Sequence, residues 1–345
     1  MSGRRDLTAL PKAHLHLHFT GSARVETVRD LADRHGVRLP DAFLGEWPPV
    51  LSARDERGWF RFQRLYDAAR GCVRTEEDMR RIVREAAQDD AREGSRRLEL
   101  QVDPTAYAAN VGGITPALEI VLDEARAVSA AGATSVAVIV AASRIRHPLE
   151  ARALARLAAR HAGEGAGAVV GFGLSNDERR GSTPEFAPAF RIAAAAGLAL
   201  VPHAGELLGP AAVEETVASL GPDRIGHGVR SVEDPRVLEL VAHEGIALEV
   251  CPGSNVALGV FAEPRDVPLR SIIAAGVDVA LGADDPLLFG TRLVDQYATA
   301  RDVHLLDDAA LAGLARASFR ASRMPDTDSR EAIAAVDAWL ASEPA

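Results

Sequence analysis

The sequence predicts an α/β chain folded as a (β/α)8 barrel of the TIM type. Eight short apolar segments recur along the 345 residues, and helical patterns separate them. Right-handed strand–helix–strand connections repeated in this way close into a barrel. Polar residues suited to chemistry fall at the C-terminal ends of five of these segments, where barrel enzymes carry their sites. No Gly-x-Gly-x-x-Gly opens a helix, so a dinucleotide-binding fold is the weaker choice.

The first strand is Pro11-Lys12-Ala13-His14-Leu15-His16-Leu17-His18-Phe19. Its period of two puts His14, His16 and His18 on one face and Leu15, Leu17 and Phe19 on the other. Three same-face imidazoles are costly to bury without partners, and a metal is a natural partner for neutral ring nitrogens.

A helical insertion follows at about 20–96, with helices at Ala23–His35 and Glu76–Glu93 and a proline-bearing loop at Leu39–Pro49. Between them lies the aromatic cluster Trp59-Phe60-Arg61-Phe62-Gln63-Arg64-Leu65-Tyr66. Its spacing fits a helix that is either core or an apolar lid over a pocket.

Strand two is Arg97–Asp103. The remaining strands are read at Ser135–Ala142, Ala168–Leu174, Leu198–His203, Arg224–His227, Ile246–Val250 and Val277–Gly282. Helices at Pro116–Ala130, Pro148–Ala162, Glu185–Ala195, Ala211–Leu220, Asp234–His243 and Leu269–Ala275 alternate with them, and extra helices run to the C-terminus. Residues 1–345 are expected to form a single barrel domain.

A hydrophobic fraction of 47% supports a substantial core. Net charge is −10 with no basic run, which argues against nucleic-acid binding. Lys12 is the only lysine, a codon-usage effect rather than a functional one. Cys72 and Cys251 make no disulfide framework. Residues 1–10 carry arginines with no apolar run behind them, and no stretch could span a membrane. A cytoplasmic location is expected.

The strand ends read His16 and His18 on strand one, His203-Ala204-Gly205-Glu206 on five and Gly226-His227-Gly228 on six. Strand seven ends in Cys251-Pro252-Gly253-Ser254-Asn255 and strand eight in Asp284-Asp285-Pro286. Singly, Glu206 could cap a helix, His227 could be a loop histidine, and Asp284-Asp285 could start a helix. Together on one rim they point to a site. Three histidines and an aspartate suit Zn²⁺ with one position left for water, whose pKa the metal would lower. Glu206 is placed to supply a proton to the group under attack, and His227 and Asp284 to take the water's proton and hold the hydroxide.

These five motifs, in this order and across essentially the whole chain, resemble those of the adenosine deaminase family. The resemblance implies one zinc held by His16, His18, His203 and Asp284. It implies that Glu206 protonates purine N1 while activated water attacks C6, that His227 orients and deprotonates the water, and that Asp285 binds N7. It places Asn176, Thr20 and Gly205 among the substrate-binding residues. Cytidine-type deaminases use His-x-Glu with Pro-Cys-x-x-Cys, which this chain lacks.

The chain departs from the family's pattern in three places. His14 stands where the family usually has Glu, and it is not assigned to the metal. Thr20 replaces an Asp that binds the ribose 5′-hydroxyl. Ser175-Asn176-Asp177-Glu178 replaces Ala-Gly-Asp-Glu, and Asn tolerates the unusual φ of that glycine.

The expected substrate is a 5′-modified adenine nucleoside such as 6-aminodeoxyfutalosine, an intermediate of a menaquinone pathway. Adenosine and adenine are the alternatives, and a non-catalytic binding barrel is disfavoured because no motif residue is missing. Arg179 or Arg180 is a candidate partner for a substrate carboxylate, although a solvated loop pair fits both.

Overall fold

The computed structural model describes residues 4–45, 47–51, 56–132 and 134–343. Eight parallel strands follow one another around the barrel in sequence order: β1 (Lys12–His18), β2 (Ser95–Val102), β3 (Ser135–Ser143), β4 (Val169–Ser175), β5 (Ala199–Ala204), β6 (Arg224–His227), β7 (Ala247–Val250) and β8 (Val279–Leu281). The ring closes between β1 and the segment that follows β8. Asp284 N donates to His16 O at 3.0 Å, and His18 N donates to Asp284 O at 3.0 Å. The closing contact therefore lies at the residues predicted to carry the chemistry.

The alternation of β1 has the expected consequence. Leu15, Leu17 and Phe19 are buried in the apolar layers, and His14 and His16 are also buried. The barrel floor beneath the histidines is ionic. Arg224 donates to Glu99 and to Glu249, each at 2.7 Å, and Arg97 donates to Glu99 at 3.2 Å. Burial opposes the Glu99 charge, but Arg224 and Arg97 outweigh it and lower its pKa. Each charge is thus compensated where an unpaired one would be costly.

The insertion holds helices at Val25–His35, Glu56–Arg70 and Glu76–Arg92. Thr75 and Asp78 cap the last of these reciprocally. Glu46 and residues 52–55 of the predicted insertion, and residues 1–3 of the N-terminal reading, lie outside the described residues. The predicted helix at 185 begins as a 3-10 turn, Thr183–Phe186, and becomes α-helical over Ala187–Ala195. Short helices at Ala108–Val111, Pro252–Ala257 and Pro286–Phe289 escaped the sequence reading, because less than two turns leaves no periodicity to detect. Helices Asp308–Ala321 and Asp326–Ala341 complete the chain's C-terminal part. Among the described residues, no helix is long and apolar enough to cross a membrane.

Candidate active site

β1, β5 and the turn after β8 bring His16, His18, His203 and Asp284 to one point. His16 Nε2 lies 3.5 Å from Asp284 Oδ1, and His18 Nε2 lies 3.3 Å from the same oxygen. The Nε2 atoms of His18 and His203 face each other at 3.2 Å. His16 Nε2 is buried without a hydrogen-bond partner. Nitrogens converging this way on a carboxylate could hold a cation among them, and an N₃O donor set suits zinc. Gly226 makes room for the rings: a Cβ there would stand 2.9 Å from His16 Cε1 and 3.1 Å from His203.

The surroundings favour a positive charge at this point. Burial opposes a charge on His16, but the Asp284 and Glu249 carboxylates outweigh it and raise its pKa to about 10. A positive charge is thus strongly stabilised at this point. Burial, then the neighbouring histidines, hold His203 well below its usual value, as a neutral imidazole. Asp284 is held well below the carboxylate range: burial opposes this, and the hydrogen bonds of His16 and His18 prevail. Two further contacts fix His16 and Asp284. Glu249 Oε2 accepts from His16 Nδ1 at 2.8 Å, and Asp284 Oδ2 accepts from Ser254 Oγ at 2.5 Å. A carboxylate behind a ligating imidazole sets its tautomer and orientation.

Three more groups surround this point. Glu206 Oε1 and Asp285 Oδ1 are buried without hydrogen-bond partners. Burial, then the Asp284 and Glu178 carboxylates, push Glu206 well above its usual value, and burial and Asp284 do the same to Asp285. Both shifts favour the protonated form, which can donate. His227 Nε2 lies 3.7 Å from Glu206 and 3.9 Å from Asp284 Oδ2. Burial and the nearby His16 lower it to about 3, leaving a neutral base. Gly21 is required beside Asp285, since a Cβ there would lie 1.7 Å from Asp285 Oδ1.

A cavity of about 400 Å³ opens from this cluster. Trp59, Phe62 and Tyr66 of the insertion line it, so the aromatic stretch is a wall of the pocket, while Phe60 points to solvent. Thr20 also lines it and shares a 2.5 Å hydrogen bond with Tyr107. Asn176 lines it with φ +80°, the left-handed conformation its replacement of glycine anticipates.

Gly205, Arg179 and Arg180 lie off the cavity wall. Gly205 N donates to Glu178 Oε1 at 2.6 Å, so its backbone donor is engaged within the protein. Asp177 accepts from Arg179 Nε at 2.8 Å, and Arg180 lies 3.8 Å from Glu56. The adjacent carboxylate captures the first guanidinium. Among the described residues, Arg70 and Arg146 are the arginines on the cavity wall.

Sequence reading missed other residues. Glu178 accepts from the backbone N–H groups of Gly205, Glu206, Leu207 and Leu208 at 2.6–3.1 Å. Gln101 is buried on the cavity wall with both amide atoms unpartnered. Its place in alternation with Glu99 was the available signal.

An eight-stranded barrel with a His/Asp cluster able to hold a metal, beside buried acids on the same rim, defines a barrel hydrolase. This chain belongs to the adenosine deaminase family, whose model, described as Adenosine deaminase, matches residues 11–339. It is 57% identical over 340 residues to a Streptomyces virginiae protein named "Putative adenosine/adenine deaminase", covering 99% of each chain. It is 35% identical to the aminodeoxyfutalosine deaminase of Streptomyces avermitilis, covering 97% of this chain and 94% of the relative. The crystal structure of an adenine deaminase from Arthrobacter aurescens superposes with a TM-score of 0.88 at 29% identity, covering 96% of this chain and 100% of that one. The protein is an aminohydrolase of the adenine/adenosine deaminase type.

Proposed function

We propose that the enzyme holds one zinc ion through His16, His18, His203 and Asp284 and deaminates C6 of a 5′-modified adenine nucleoside. Zinc, when bound, would acidify the attacking water and orient it. Glu206 donates its proton to ring N1 as water adds at C6, and Asp285 donates a hydrogen bond to N7. His227, neutral at working pH, accepts the water's proton. The proton then reaches the 6-amino group, the C6–N bond breaks and ammonia leaves, while the C6 hydroxyl gives its proton back to the Glu206 carboxylate as C6=O forms. The cavity walls exclude bulk water and strengthen these contacts.

The observation that carries the substrate preference is Thr20. Position 20 offers no carboxylate to a free 5′-hydroxyl, and its hydroxyl is already engaged with Tyr107. A site lacking that acceptor loses the means of rejecting a compound without the hydroxyl. The aromatic wall and the guanidinium groups of Arg70 and Arg146 suit an aryl carboxylate at this end. The relative named aminodeoxyfutalosine deaminase supports this reading. The adenine deaminase structure favours a smaller substrate.

The test compares kcat/KM for adenosine, 5′-deoxyadenosine, 5′-methylthioadenosine, 6-aminodeoxyfutalosine and adenine, by ammonia release. Preference for a 5′-modified compound is expected, highest for 6-aminodeoxyfutalosine. Preference for adenosine over all of them, or for adenine, would refute the assignment.

A further inference from the structure

We propose that His14 is a positioning residue for Asp284, acting through the backbone N–H of Ala283. The inference rests on the reading that Asp284 holds the metal. His14 is fully buried on β1, two residues before His16. Its Nε2 accepts from Ala283 N at 3.0 Å. An Nε2 that accepts has no proton of its own, so Nδ1 carries the ring's N–H. Nδ1 lies 3.0 Å from both Asp90 oxygens, the acceptor this tautomer needs. Asp90 sits in the insertion helix Glu76–Arg92, with Arg292 Nη2 3.6 Å from its carboxylate.

The contact falls where the backbone needs support. Asp284 has φ +61°, a region that a residue with a Cβ rarely adopts. Its own N and O are tied to His16 and His18. The Ala283 N–H just before it points into the barrel, and His14 is its acceptor. Without that acceptor, a buried N–H is left unpaired and one of the three hydrogen bonds that hold the turn against β1 is lost. Both Asp284 and Asp285 would then lose their aim. The line Asp90–His14–Ala283 thus couples the insertion, β1 and the turn after β8 at the metal site.

The two roles of the ring separate by substitution. His14→Gln brings an amide oxygen toward the Nε2 position and keeps the acceptor for Ala283. His14→Asn reaches only the Nδ1 position and keeps the donor for Asp90. The experiment measures zinc Kd by chelator competition, and kcat and KM, in the full chain. Thermal melts of the apoproteins establish folding. His14→Gln should bind zinc within about threefold of wild type. His14→Asn should weaken zinc binding by about 10–100-fold, the range for residues that orient metal ligands, with kcat falling more than KM rises. Equal zinc Kd for the two variants, or the inverse order, would overturn the inference. Wild-type protein that binds no zinc would instead overturn the proposed metal site.

Discussion

Glu178→Gln should disable the enzyme by loosening the strand-five turn that carries Glu206. In the wild type, Glu178 Oε1 accepts from Gly205 N, and Oε2 accepts from Glu206, Leu207 and Leu208 N at 3.1, 2.8 and 2.9 Å. A glutamine has one acceptor oxygen. Its best placement puts that oxygen at the Oε2 position and turns the NH₂ toward Gly205 N–H. One buried donor is then unpaired, at about 1–3 kcal/mol, and three charge-assisted bonds become neutral ones, each weaker by about 1 kcal/mol. The total is about 4–6 kcal/mol, most of it falling on residues 205–208.

Glu206 would be displaced from ring N1, and a shift of about 1 Å costs on the order of 10²-fold in rate. The assay pairs steady-state ammonia release with urea unfolding and zinc content. The expected result is kcat down at least about 10²-fold with zinc retained. Wild-type kcat and wild-type stability together would refute the claim that this carboxylate holds the turn.

Glu206→Gln should lower kcat by about 10²–10⁴-fold, the range for loss of a general acid, while zinc stays bound. The pH profile follows from the raised value of Glu206. The active form is protonated, so activity is retained above the usual carboxylate range and falls as pH rises through the raised value. An alkaline limb that survives at full height in Glu206→Gln would assign it to another group. Glu249→Gln removes one of the two bonds this side chain accepts, from His16 Nδ1 and from Arg224 Nε. Its zinc Kd should rise by about 10–100-fold, and an unchanged Kd would show that Glu249 serves only the ionic floor.

The strand–helix alternation and the rim motifs were legible because they are local. A period of two in β1 assigns His16 and His18 to the barrel interior whatever the rest of the chain does. His203 and Asp284 follow once the strands are taken to close into a barrel. Glu178 was not legible, because its role depends on where the turn after β5 passes, 27–30 residues further along the chain. The pairing of His14 with Asp90 spans 76 residues and needs the docking of an insertion helix that no pattern in β1 specifies. For Arg179 both a substrate contact and a loop pair were open, and the structure shows the loop pair. Its neighbour Asp177 is two residues away, and only coordinates show which of the two, partner or cavity, takes the guanidinium. Arg70 and Arg146 come to the cavity from the insertion and from the segment after β3, so no local spacing joins them.

The most direct test of the account is to titrate metal-free protein with zinc and follow ammonia release from an adenine nucleoside. The account predicts no turnover without metal, activity rising linearly to a break at one zinc per chain, and a concurrent rise in Tm, because the ion ties β1, β5 and the turn after β8 together. His203→Ala should show neither the break nor the rise. Full activity in verified metal-free protein, or a His203→Ala variant that titrates like wild type, would contradict it.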